Sequence, residues 1–305
     1  MLSKLCVFGG RGFLGKNIVA DFKPGRAECD LLLPLDIRAF LENHEVESVI
    51  NCAAEHGSYS QMATEHTMYL QNNVLMSINL LRECHDSDIE NVLLVGSISG
   101  FPENVNGVIT EDEFFNGEVS VANYGYNMSK RIIPSLVKTY QLDFGRKYKM
   151  VHLGNIFGPE MIFGHEATVV GNLIYKVWEG EKQGTPVRLF GNGKDVRSLT
   201  YVKDAAWLIK EIIYRDEILE PIIISSGYEI TIGELVSLIA EKMNFEGNIL
   251  FSSDETAYSR KVAKSNLINS TFPSFEFTSI SQGLDETIDY FLSAVKEFDG
   301  WPPLT

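Results

Sequence analysis

The chain is poor in cysteine, in basic residues and in long apolar runs, and each shortage removes a class of protein. Four cysteines occur in 305 residues, Cys6, Cys29, Cys52 and Cys84, all in or beside apolar segments and none in a CxxC pair or other metal-ligand spacing. The pattern predicts buried, reduced thiols in a cytoplasmic protein, with no metal site. No apolar run approaches the ~18–20 residues of a membrane span, and a strand-like run begins at Lys4-Leu5-Cys6-Val7-Phe8 with no signal peptide ahead of it. Lys and Arg total 26 against 41 Asp and Glu, a net charge of −15, which argues against nucleic acid as a partner. The acidity is dispersed, with Glu111-Asp112-Glu113 the densest cluster, and reads as a solvated surface. An anionic substrate would need a local basic pocket.

What is present is an ordinary globular composition, 45% hydrophobic and 22% charged, long enough for one large or two closely joined domains. Strand-like runs at Leu5–Phe8, Ser48–Ala53, Val92–Val95, Met150–Leu153 and Pro221–Ser225 alternate with helix-like stretches at Leu14–Phe22, Met68–Glu83 and Tyr126–Phe144. Short apolar or β-branched strands alternating with helices predict an α/β fold, a Rossmann-type doubly wound parallel sheet. From Phe157 to Asp204 the rhythm breaks into Gly-Pro turns and a helix near Thr168–Trp178. The expected division is a cofactor-binding domain over 1–157 plus about 204–230, and a smaller mixed α/β substrate lobe over about 158–203 plus 231–305.

Chemistry is carried first by Gly9-Gly10-Arg11-Gly12-Phe13-Leu14-Gly15, between the opening strand and the first helix. Gly10, Gly12 and Gly15 satisfy GxGxxG, in which glycines allow a tight turn and close approach of backbone to a pyrophosphate at a helix N-terminus. Gly9, Arg11, Gly12, Phe13, Leu14 and Gly15 form the expected cradle. A guanidinium at Arg11 suits the 2′-phosphate of NADP(H) over NAD. Glu28, Asp30 and Asp36 lie about where a ribose-binding carboxylate would fall, and the Pro24–Asp36 segment does not say which one would serve.

The second constellation is Tyr126-Asn127-Met128-Ser129-Lys130, with Ser97 upstream in VGSIS. Tyr and Lys four residues apart share a helix face. An ammonium beside a phenol favours its ionised form and can hold the cofactor ribose, while a serine at a strand end bonds the reacting oxygen.

On these residues the chain resembles the extended short-chain dehydrogenase/reductases that act on nucleotide sugars, most nearly the GDP-L-fucose synthases. Asn51-Cys52-Ala53-Ala54-Glu55-His56-Gly57 looks like the family's alanine-rich strand end beside the cofactor. Gly96-Ser97-Ile98-Ser99-Gly100-Phe101-Pro102 resembles GSSCxYP, Asn155-Ile156-Phe157-Gly158-Pro159 resembles NxYGP, and Arg197–Asp204 (RSLTYVKD) resembles RxFxHVxD. The resemblance implies Ser97, Tyr126 and Lys130 as the catalytic triad. It puts Cys52, Ala53, Ala54, Tyr126, Lys130 and Asn155 at the cofactor, and Ser99, Asn155 and Arg197 at a GDP-linked sugar. Lys176, Phe190 and Arg260 of the Arg260-Lys261 pair are further candidates for the substrate, and a homodimer through the helices at Met68–Glu83 and Tyr126–Phe144 is implied as well. An acidic chain that binds two phosphorylated ligands should gather Arg11, Lys130, Arg197 and Lys176 or Arg260 in one cleft.

Two departures from the resemblance narrow the activity. Ser99 stands where fucose synthases carry a proton-moving Cys, and the position of their loop His falls on Val169, with His165 four residues early. A serine hydroxyl is a far poorer acid or base near neutrality than a thiol. The reading is therefore NADPH-dependent reduction of a 4-keto sugar without 3,5-epimerisation. An NAD-dependent 4-epimerase and a noncatalytic dinucleotide-binding subunit are the alternatives; Arg11 speaks against the first and the intact Tyr126–Lys130 pair against the second. Ile98-Ser99 in place of an Asp-Glu pair disfavours a dehydratase.

Overall fold

The computed structural model describes residues 4–105, 107–252 and 259–297. In chain order the elements are β1 (Leu5–Phe8), α1 (Phe13–Asn17), α2 (Pro34–His44), β2 (Ser48–Asn51), α3 (Tyr59–Met62), α4 (His66–Asp86), β3 (Asn91–Ser97), α5 (Tyr124–Phe144), β4 (Lys149–Leu153) and β5 (Asn155–Phe157). They continue as α6 (Val169–Gln183), β6 (Val187–Leu189), β7 (Val196–Tyr201), α7 (Val202–Ile212), β8 (Ile222–Ile224), β9 (Glu229–Thr231), α8 (Ile232–Lys242), β10 (Ile249–Phe251), β11 (Arg260–Lys261), α9 (Ile268–Thr271) and α10 (Ile280–Glu297).

The central sheet is parallel throughout, in the order β1-β2-β3-β4-β8. Successive residues of a strand face opposite sides, so a strand covered on both sides must be apolar at every position. Strand β1 does this with LCVF, Val7 packing with Ile50, Leu93 and Val151 against Ala205, Leu208 and Ile212 of α7. Cys6 and Phe8 face the other way, with Val49, Val92 and Met150, onto Ile37 of α2, Leu80 of α4 and Ile133 of α5. Helices on both faces of a parallel sheet make the doubly wound architecture that the alternating pattern predicts.

A second, smaller core gathers α6, α8 and α10 around Leu173, Ile174, Leu235, Ile239, Leu284 and Phe291. Beside it run the two-stranded sheet β10-β6 and the sheet β11-β7-β5, with β9 antiparallel to β7. A capping box starts α8: Thr231 Oγ1 accepts from the Glu234 amide at 3.1 Å, and the Glu234 carboxylate accepts from the Thr231 amide at 2.9 Å. Phe13 packs against the α7 side of the central sheet and against this second core, so the first residue of α1 joins the two.

Two expectations are corrected. The helix expected over Leu14–Phe22 ends at Asn17, because Ile18 turns extended and the chain returns to the sheet edge. There Asp21 accepts from the Leu5 amide, and Phe22 forms a single parallel bridge with Cys6. Helix α2 then begins at Pro34, within the Pro24–Asp36 segment that carries the three candidate carboxylates. Glu111 is no merely solvated charge: its carboxylate accepts from the Ile223 amide, the Ser265 hydroxyl and the Asn266 amide, clasping the edge strand β8 to the segment after β11. Among the described residues all four cysteines are free thiols, no group of three or more His, Cys, Asp or Glu side chains could hold a metal, and no helix is long and apolar enough to cross a membrane.

Candidate active site

The glycine loop follows β1 at the carboxyl end of the sheet. Gly9 has φ +72°, and a Cβ there would stand 2.5 Å from the Ala53 amide and 2.7 Å from the Cys52 carbonyl carbon. The loop and the Cys52–Ala54 strand end are thus in backbone contact, which only glycine permits. A Cβ on Gly15 would stand 2.3 Å from the Gly9 carbonyl oxygen, so α1 starts directly against the turn. With five residues, α1 contributes little macrodipole; the first-turn amides of Phe13 and Leu14, which have no partner within the helix, are what it offers an anion. Such a cradle fits a dinucleotide pyrophosphate.

Arg11 lies at the outer edge of this cradle, where its guanidinium meets Glu28 Oε2 at 2.5 Å. The Gly25 amide, and then Arg11, hold the Glu28 carboxyl below its usual range. Of the three carboxylates that the sequence leaves open, Glu28 is the one brought to Arg11. Asp30 pairs with Arg26 and accepts from the Leu32 amide, and Asp36 accepts from the Asp30 amide.

The three residues of the expected triad come from two elements. Ser97 ends β3, and its Oγ accepts from the Ser99 amide at 3.2 Å. Tyr126 and Lys130 stand one turn apart on α5, the Lys130 ammonium 5.6 Å from the centre of the Tyr126 ring. The start of α5 is set by contact with α4: a Cβ on Gly125 would fall 1.9 Å from the His66 carbonyl oxygen, so no larger residue fits beside Tyr126. Burial pushes the Tyr126 phenol up to about 12, with a hydrogen bond from Ser97 pulling the other way. Burial likewise pushes the Lys130 ammonium down to about 8, partly offset by Cys52. Loss of solvent therefore dominates at Tyr126 in place of the phenolate-favouring effect expected of Lys130, and at neutral pH the pair is a phenol beside an ammonium. That is the state of a proton donor.

One cleft of about 300 Å³ joins Ser97 and Ser99 to Asn123, Asn155, Arg197, Arg260 and Lys261. Asn155 donates to the Ser198 carbonyl oxygen. Arg197 is steered by Asp195 and by Ser259, and Arg260 by both carboxylate oxygens of Glu229. Strand β11 lies parallel to β7 with Lys261 opposite Arg197, which is how residues so far apart in the chain share one wall. Two expected residues stand elsewhere. Lys176 donates to the Arg188 carbonyl oxygen at 3.2 Å, and Phe190 is 96% exposed; neither lines the cleft. The helical face of α6 that turns inward is apolar, which leaves Lys176 outside. Of the cations expected together, Arg197 and Arg260 line this cleft, Lys130 is buried beside Tyr126, and Arg11 is at the glycine loop. His165 lies on the surface, 3.4 Å from Glu179 and edge-on to Tyr175.

Two residues near the reacting centre had no signal in the sequence. His56 stands edge-on to Tyr126, ring centres 5.2 Å apart, with burial and then Lys130 holding its imidazole below the usual range. Asn123 precedes α5 and lines the cleft. The fold brings His56 to Tyr126, whereas Asn123 is near it along the chain.

The chain has relatives among known proteins. The chain is 27% identical to the probable GDP-L-fucose synthase of Drosophila melanogaster over 95% of its own length and 98% of that protein's. It is 26% identical to the GDP-L-colitose synthase of Yersinia pseudotuberculosis, over 95% and 98%. The crystal structure of a GDP-L-fucose synthetase from Naegleria fowleri bound to NADP superposes with a TM-score of 0.87 at 26% identity, covering 97% of this chain and 94% of that one. The model of the NAD dependent epimerase/dehydratase family matches residues 5–225, from β1 to the end of the parallel sheet, and to that family the chain belongs.

Proposed function

We propose that the protein reduces the C4 keto group of a GDP-linked 4-keto sugar with NADPH, without epimerising C3 or C5. The observation that carries this reading is the single cleft with the Ser97 hydroxyl at one part and the guanidinium groups of Arg197 and Arg260 at another, the layout a sugar diphosphate requires. NADP is favoured by the glycine cradle, by Arg11, and by its presence in the Naegleria structure. Gly9, Gly12, Phe13, Leu14 and Gly15 would hold its pyrophosphate, Cys52–Ala54 and Lys130 would flank its nicotinamide half, and Arg11 would exchange Glu28 for the 2′-phosphate. When bound, NADPH supplies a hydride to C4. Ser97 Oγ holds the carbonyl oxygen by a hydrogen bond, and Tyr126 gives that oxygen its hydroxyl proton, completing the alcohol. Lys130 stabilises the phenolate left on Tyr126 until a solvent proton replaces the one given up. Arg197 and Arg260 grip the diphosphate and fix the sugar against the triad. Ser99 in the position of the cysteine, and His165 turned to Glu179, leave epimerisation without its acid and base.

Mixing protein, NADPH and GDP-4-keto-6-deoxymannose tests the activity. Stoichiometric loss of nicotinamide absorbance and a product altered only at C4 are expected; conversion of GDP-mannose into its C4 epimer with NAD and no net change of nicotinamide absorbance would establish a 4-epimerase instead, and binding of both sugars without turnover a noncatalytic subunit. The same reading includes a cytoplasmic homodimer through α4 and α5, favoured by exposed Met68, Leu75 and Ile78 along one stripe of α4. Light scattering should return twice the chain mass, and a monomer would remove that part of the reading. The division into a cofactor domain and a substrate lobe belongs to the same proposal.

A further inference from the structure

Asparagine is favoured at a helix N-cap because its side-chain oxygen accepts from an amide of the first turn. Asn123 holds that place on α5, at φ −125° and ψ 42°, and makes no such bond. Its Oδ1 is nonetheless buried and has no hydrogen-bond partner among the described residues. Ser99 Oγ is in the same condition, while its amide is committed to Ser97 Oγ. The described residues hold three such orphaned side-chain atoms, and two of them, Asn123 Oδ1 and Ser99 Oγ, belong to residues lining the cleft. A buried acceptor left unpaired destabilises a fold, and an asparagine that gives up its cap as well forgoes a second favourable contact. The arrangement makes sense if a ligand brings donors to this wall.

Both atoms are tied to the groups that would hold the reacting oxygen. Asn123 is three residues before Tyr126, at the N-cap of the helix that carries it, and Ser99 is two residues after Ser97 with its amide bonded to Ser97 Oγ. In a 4-keto hexose the carbonyl carbon has two ring neighbours; C5 carries the exocyclic carbon, and C3 carries a hydroxyl. We propose that Asn123 selects the sugar: its Oδ1 accepts a hydrogen bond from the C3 hydroxyl, with Ser99 Oγ as a second contact to the ring, so the preferred substrate retains that hydroxyl. The choice of C3 rests on the 4-ketoreductase reading. A polar site built around a substrate hydroxyl discriminates strongly against the analogue lacking it, because its own buried group is then left unpaired.

Equilibrium binding of GDP-mannose, GDP-3-deoxymannose and GDP, without any reduction, tests the proposal on the wild type and on Asn123→Ala and Asn123→Asp. The wild type should bind GDP-mannose at least about tenfold more tightly than the 3-deoxy compound. The ratio should fall towards one in Asn123→Ala and persist in Asn123→Asp, which keeps an acceptor, with affinity for GDP unchanged in all three as the control for folding. Equal binding of the two sugars by the wild type, no gain of GDP-mannose over GDP, or an unchanged ratio in Asn123→Ala would overturn it. A protein that discriminates in this way and never oxidises NADPH would refute the reductase and leave the selection intact. One that oxidises NADPH equally with 3-hydroxy and 3-deoxy 4-keto substrates would do the reverse.

Discussion

Replacing Tyr126 with phenylalanine is expected to lower kcat by about 10²- to 10⁴-fold, the range a positioned general acid supplies. The reason lies in the site's two opposing influences. Burial raises the phenol to about 12, and the Ser97 hydrogen bond moderates the rise. At neutral pH the hydroxyl is therefore fully protonated, yet sufficiently supported to release its proton to an alkoxide forming on C4. Tyr126→Phe keeps the ring, its edge contact with His56 and its place under the Lys130 ammonium. Affinities for NADPH and for the sugar nucleotide, and the melting temperature, should consequently change little. Single-turnover measurement of nicotinamide absorbance separates these quantities. A variant that reduced substrate within threefold of the wild-type rate would remove Tyr126 from the mechanism.

Lys130→Met should move activity and stability in opposite directions. The Lys130 side chain is only 5% exposed and lies in a site with no acidic partner; the described contributors to its shift are burial and the Cys52 thiol. Its folded value of about 8 is below the ordinary 10.5, so between those values the unfolded chain binds the proton and the folded one does not. Stability on this account rises with pH across that window, and below about pH 8 the buried charge opposes folding in full, by about 3 kcal/mol at most. The apolar Lys130→Met variant should melt several degrees higher than wild type at pH 7, with the advantage shrinking towards pH 10.5. Calorimetry across that pH range checks the sign. Turnover should fall at least about 10²-fold, since nothing then stabilises the phenolate. In the wild type, kcat/KM should decline as pH rises through about 8 and the ammonium is lost. A Lys130→Met variant less stable than wild type at pH 7 would mean that Lys130 is structural.

Much of this molecule could be read along the chain because the relevant physics is local. Strands covered on both faces favour apolar runs, and LCVF and the three isoleucines of PIIIS were legible for that reason. A loop touching its own helix and the next strand end needs glycine, and a phenol and an ammonium one helical turn apart meet without help from the rest of the fold. Family resemblance, confirmed over residues 5–225, extended this to the Asn155 and Arg197 segments. The helix expected to reach Phe22 failed because Cys6, sixteen residues away, offers the chain a strand partner, which local periodicity does not register. Lys176 was misplaced because a cation's sequence neighbours do not say which helical face the core will claim.

Composition, strand pattern and spacing by themselves determined a doubly wound α/β fold and pointed to the glycine loop and to Ser97, Tyr126 and Lys130 as candidates. Only the tertiary structure decided that Glu28 meets Arg11, that β11 carries Arg260 and Lys261 to the wall of Arg197, that His56 flanks Tyr126, and that Asn123 leaves its helix uncapped. Each of these depends on contacts between distant segments, whose pairing is set by packing of the whole chain.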